Sequence, residues 1–102
     1  MKTLVDYQGR RIRLIAERLQ HILQHPEMAN MEQELEQTLS NPERVVQSNS
    51  DETARLYYRF QTGTQFGDKW LCVVVKYTDE PFVLTAYLTD AIKRGAELWR
   101  KK

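Results

Sequence analysis

Five side chains, His25, Arg59, Lys76, Thr85 and Tyr87, are of the types that together handle a phosphodiester. Arginine holds phosphate oxygens in a bidentate fork, lysine adds a point charge, and threonine and tyrosine hydroxyls donate to the non-bridging oxygens. A histidine titrating near ~6.5 can move the proton of a 2′-hydroxyl or of a leaving oxygen at neutral pH. Gathered around one phosphate, the five would support metal-free cleavage of RNA. The same residue types also make the ordinary solvated face of an antiparallel sheet. The chemistry therefore depends on whether the fold brings them together.

The remaining candidates carry weaker signals. His21 falls opposite the apolar stripe of the first helix and reads as solvated. His21 and His25 have the i, i+4 spacing of a zinc pair, with Glu17 and Glu27 nearby, but lack Cys or Asp partners in order. No metal or other cofactor is therefore expected. Cys72, the only cysteine, excludes an internal disulfide and reads as a small buried hydrophobe on a central strand. Trp70 and Trp99 read as core, whereas Tyr57 and Tyr87 fall on polar faces and are open to base stacking.

These residues must be positioned by elements whose limits are set by sparse Gly and Pro. From Ile12 the apolar residues Ile15, Ala16, Leu19, Ile22 and Leu23 follow at helical spacing, predicting a helix that ends near Gln24 or His25. Pro26 disfavours helical geometry at His25 and suits a new first turn, so His25-Pro26-Glu27 is expected to form a corner. A second helix runs from about Pro26 or Asn30 to Leu39, where Ser40-Asn41-Pro42 stops it. Strands are expected over Arg44 to Gln47, Ala54 to Gln61, Lys69 to Tyr77 and Phe82 to Leu88, separated by short turns that favour antiparallel neighbours. The closing segment, Thr89 to about Trp99, reads as a short capped helix weakened by Gly95. The expected fold is α+β: N-terminal helices packed on a four-stranded antiparallel sheet, with a short C-terminal helix.

Strand parity divides these side chains between faces. Leu56, Tyr58 and Phe60 point one way, and are expected to meet the helices, while Arg55, Tyr57, Arg59 and Gln61 point the other. On the last strand Phe82, Leu84, Ala86 and Leu88 oppose Val83, Thr85 and Tyr87. The Lys69 to Tyr77 strand is apolar on both sides, which makes it central, with Lys76 as its charged interior position.

The 102 residues carry a net charge of +1, with 41% apolar and 28% charged residues, which suits one domain spanning 1–102. Near-neutral charge gives no global argument for nucleic acid or membrane. No apolar run reaches membrane-spanning length and Met1 to Gly9 lacks the apolar core of a signal peptide, so a cytoplasmic location without membrane association is expected.

The series His25-Pro26-Glu27-Met28, Thr38-Leu39 with Pro42 and Val45, Leu56-Tyr57-Tyr58-Arg59, Val73-Val74-Val75-Lys76 and Phe82-Val83-Leu84-Thr85-Ala86-Tyr87 resembles phage and bacterial domains of the barnase/EndoU/colicin/RelE (BECR) nuclease superfamily. The resemblance spans about Arg11 to Trp99. It implies N-terminal helices on a four-stranded antiparallel sheet whose free face holds RNA. It also implies metal-independent cleavage by 2′-hydroxyl attack, leaving a 2′,3′-cyclic phosphate, often in the toxin of a toxin/antitoxin pair. The matching positions are His25, Arg59, Lys76, Thr85 and Tyr87, the set that parity selects, and the implied partners are RNA and a protein antitoxin. The chain departs from such toxins in lacking their strong positive charge. A non-catalytic protein- or RNA-binding module on the same fold is the alternative.

Overall fold

Two long strands, β4 (Ala54–Thr64) and β5 (Gly67–Lys76), form the hairpin on which the rest of the chain is built in this computed structural model, which describes all 102 residues. Val73, Val74 and Val75 are buried on both sides of the sheet, so β5 is central as its unbroken apolar run requires. β6 (Phe82–Thr89) pairs antiparallel with β5, and β3 (Arg44–Gln47) with β4.

The sheet does not stop at these four strands, and the expectation of a four-stranded antiparallel sheet with N-terminal helices and a C-terminal helix is overturned. The chain opens with a hairpin, β1 (Lys2–Val5) and β2 (Arg11–Leu14), and closes with β7 (Glu97–Arg100). The result is a seven-stranded mixed sheet in the order β1-β2-β6-β5-β4-β3-β7. Its parallel pairing is confined to Arg13 opposite Phe82, where β2 meets β6. Only two α-helices are present, α1 (Ala16–Leu23) and α2 (Glu32–Ser40), with a 3-10 turn at Pro26–Met28 between them.

Each departure has a local cause. Ile12 and Leu14 fit a strand's period of two as well as a helical stripe, and a run this short does not fix the period. Hairpin pairing decides it: Gly9 takes φ 80°, and Asp6 and Arg10 close the turn by a 2.9 Å backbone hydrogen bond. At the C-terminus Gly95 is the deciding residue. A Cβ there would lie 2.0 Å from the Gln47 carbonyl oxygen, so glycine lets residues 90–96 cross the sheet in close contact. Ala96 then accepts the Gln47 N–H, and β7 pairs with β3 instead of coiling.

The two faces of the sheet carry separate apolar clusters. α1, the 3-10 turn and α2 place Ile22, Met28, Leu35 and Leu39 against Tyr57, Leu71, Val73 and Val75. Tyr58 and Leu56 are on the opposite face, with Val46, Cys72 and Val74, where Ile92 of the crossing segment packs over them. The faces of β4 are therefore inverted relative to the expected assignment: Tyr57, not Tyr58, meets the helices. No helix is long and apolar enough to cross a membrane.

Candidate functional site

The fold distributes the five sequence-selected residues over four places. Arg59, opposite Leu71, belongs to the helix-covered side, and its guanidinium donates to the Asn41 carbonyl at the end of α2 (2.9 Å). Lys76 lies at the far end of β5, in an ion pair with Asp51. That ammonium, with the Thr53 hydroxyl and N–H, holds the Asp51 carboxyl down at about 2. Thr85 and Tyr87 do share the outer face, registered against Val74 and Cys72. Lys76 lies four residue steps beyond Cys72, a distance of ~13 Å along β5, so Lys76 and Tyr87 do not serve one phosphate. His25 caps the 3-10 turn, which packs on β6.

A different set assembles along β6. Beyond Phe82 the outer edge of β6 has no strand partner, and α1 packs there instead. Arg18 of α1 donates to the Leu84 carbonyl (3.3 Å), and its guanidinium lies 5.1 Å from the centre of the Phe82 ring. One turn on, His21 lines the same cleft of about 370 Å³, together with Ile15, Glu17, Arg18 and Leu84. His25 follows, its ring edge-on to that of His21 with centroids 5.7 Å apart. Arg18, His21 and His25 thus form one polar stripe beside the strand that carries Thr85 and Tyr87.

Tyr87 is oriented by its surroundings. Its hydroxyl and that of Tyr58 contact the Cys72 thiol, whose pKa burial pushes up to about 11. Burial likewise raises the Tyr87 phenol, which stays protonated at neutral pH. The Lys93 ammonium lies 5.8 Å from the centre of the Tyr87 ring. Tyr87 therefore offers a ring face under a cation more than a free hydroxyl.

A second polar cluster lies on the helix-covered side and is structural in character. The Asp6 carboxylate, buried at 3% exposure, accepts the backbone N–H of Gln8 and Arg10, the Arg10 guanidinium (2.8 Å) and the Tyr57 hydroxyl (2.8 Å). Burial alone would raise its pKa, but these four donors outweigh it and hold the carboxyl below its ordinary value. Tyr77 bonds Tyr57 and lies under the Arg55 guanidinium. With every donor aimed at one carboxylate, the cluster pins the tip of the β1–β2 hairpin to the sheet. Nowhere in the chain do three His, Cys, Asp or Glu side chains converge as they would around a metal ion.

Compared with known families, curated proteins and solved structures, the chain matches none. The site rests on its own geometry. Arg18 escapes a reading of the sequence because the apolar stripe dominates its segment, whereas His21 is seen there but reads as solvated because it faces away from that stripe. A signal is nevertheless present: positions 18 and 21 stand at i and i+3, neighbours on one face of α1, and His25 follows at the corner.

Proposed function

We propose that this chain is a metal-independent endoribonuclease whose site lies along the open edge of β6. The observation that carries this reading is the pair of imidazoles, His21 and His25, with ring centroids 5.7 Å apart, the first of which lines one cleft with Arg18. Cleavage by 2′-hydroxyl attack needs two proton transfers and charge stabilisation, and this stripe supplies a group for each. One neutral imidazole takes the 2′-hydroxyl proton as O2′ bonds to phosphorus. The other, protonated, delivers a proton to the 5′ oxygen as the P–O5′ bond breaks. The products are a 2′,3′-cyclic phosphate and a 5′-hydroxyl end. Arg18 holds the non-bridging oxygens, Thr85 donates to the phosphate, and the Tyr87 ring with Lys93 carries the adjoining base and its phosphate. The resemblance to BECR nucleases at the His25-Pro26-Glu27 corner and the Thr85-Ala86-Tyr87 strand supports the same chemistry.

The test is cleavage of single-stranded RNA by the purified protein in EDTA. His21→Ala and His25→Ala should each slow it by about 100-fold or more with unchanged melting temperature. Wild-type protein that leaves RNA intact, or histidine variants as active as wild type, would overturn the proposal. One observation favours a second reading, RNA binding without cleavage: Arg59, Lys76 and Arg18 itself, the groups that would stabilise the transition-state charge, already hold partners within the chain.

A further inference from the structure

The fifteen cations of the chain are unevenly placed. Residues 91–102 carry five of them against the single acid Glu97, whereas residues 26–43 carry five acids and no Lys or Arg. The fold turns this bias into a groove. β7 lays Arg100 directly opposite Arg44 of β3, and Lys101 and Lys102 follow beside them. Together with Glu43 and Trp70 these four cations line a cleft of about 370 Å³.

Like charges directly opposite each other on neighbouring strands destabilise a sheet. Here the two guanidiniums share one carboxylate, Glu97, at 2.8 and 3.0 Å. The other acid, Glu43, accepts the Phe60 backbone N–H. The groove is therefore left with a cationic excess that the chain does not neutralise. Its wall is aromatic. Trp70 sits edge-on to Phe60 with centroids 5.1 Å apart, and Phe60 is 40% exposed. In register, Phe60 pairs with Trp70, and Trp70 with Thr89 of β6. Thr89 in turn lines a cleft of about 400 Å³ with Pro26, Glu27, Phe66, Lys69 and Asp90, next to His25, where Asp90 pairs with Lys69. The four steps from β6 to β7 span ~19 Å, enough for a few nucleotides.

We infer that this groove is a subsite for single-stranded nucleic acid, with Arg44, Arg100 and Lys102 on phosphates and Trp70 and Phe60 as stacking surfaces for bases. Cations interleaved with aromatic rings suit a single strand, whose bases are free to stack, better than an acidic peptide, which has none. The inference rests on the endoribonuclease reading for its direction, since a strand leaving His25 on the helix-covered face would pass round the rim of the sheet at Thr89 to reach the groove on the opposite face. Its binding chemistry stands on the groove alone.

The experiment uses the full chain and a fluorescently labelled, 2′-O-methylated RNA decamer, which has no free 2′-hydroxyl and so separates binding from cleavage. Anisotropy titrations over a series of salt concentrations should show affinity falling with salt. Arg100→Gln and Lys102→Gln should each flatten the log–log salt slope by about 0.7 and weaken binding several-fold. Trp70→Phe should weaken it less, and the double variant Arg44→Gln/Arg100→Gln by about tenfold or more, all with wild-type melting temperatures. Variants that bind as wild type does would overturn the subsite, as would equal competition by polyglutamate, which would mark the groove as a surface for an acidic protein. Should His21→Ala and His25→Ala leave cleavage untouched while the groove variants lose binding, the catalytic assignment falls and the subsite stands. Should the histidine variants lose cleavage while the groove variants bind unchanged, the subsite falls and the catalytic assignment stands.

Discussion

Asp6 shows how one buried charge is kept in a small fold. Four donors compensate its desolvation, so its carboxyl lies below its ordinary value in the folded state. A depressed carboxyl stabilises the fold above the unfolded value of ~3.9, and that contribution is lost as pH falls through the folded value. Asp6→Asn should therefore cost roughly 2–3 kcal/mol at neutral pH and show a shallower loss of melting temperature below about pH 4 than wild type. Equal acid profiles would remove Asp6 from that role. Neighbours on β4 offer a second contrast. Tyr58 is 0% exposed and its hydroxyl accepts the Lys93 N–H (3.1 Å), whereas Arg59 is only partly buried, with one hydrogen bond to Asn41. Thermal melts should show Tyr58→Ala losing about 3–5 kcal/mol and Arg59→Ala no more than about 1. Tyr57→Ala, in the helix-side cluster, should be as damaging as Tyr58→Ala, because β4 is buried on both faces there.

Among the elements, the segment 90–96 and β7 act as a strap over the outer face. Ile92 covers Cys72 and Tyr58, and Gly95 permits the close approach to β3. Gly95→Ala places a methyl group against the Gln47 carbonyl, and the strap must move away. The expected cost is about 1–3 kcal/mol, with faster reaction of Cys72 toward a thiol reagent in native buffer. In the wild type that thiol should react slowly, since it is fully buried with its pKa raised to about 11. Unchanged labelling in Gly95→Ala would show that the strap does not guard this face.

For the whole molecule, the sheet's order sets a gradient of stability. β5 and β4 occupy its middle and are covered by both apolar clusters, whereas β1 and β7 are four-residue edge strands with one partner each. Native-state hydrogen exchange should find Leu71 to Val75 and Leu56 to Tyr58 the slowest amides, with β1 and β7 opening first. Protection of β7 equal to that of β5 would contradict this. The gradient also places the cationic groove on the less stable side of the sheet, where Arg44 and Arg100 oppose each other. An anion bound between them would stabilise that edge.

Alternation of apolar and polar residues with punctuation by Gly and Pro is enough to locate β3 and the greater part of β4, β5 and β6, because those signals are local and the runs are long. It also identifies Cys72 as buried and His25 as held at a corner. Alternation separates two faces without saying which one the helices cover, and that choice is made by the tertiary packing of α1 and α2 on Tyr57, Leu71 and Val73. Segments of four residues such as Arg11–Leu14 and Glu97–Arg100 have no structure of their own to encode. They become strands because a neighbour supplies hydrogen bonds, at the Gly9 turn in one case and beside β3 in the other. The polar stripe of Arg18, His21 and His25 is written in α1 and the corner that follows it, but only the unpaired edge of β6 gives it something to act beside.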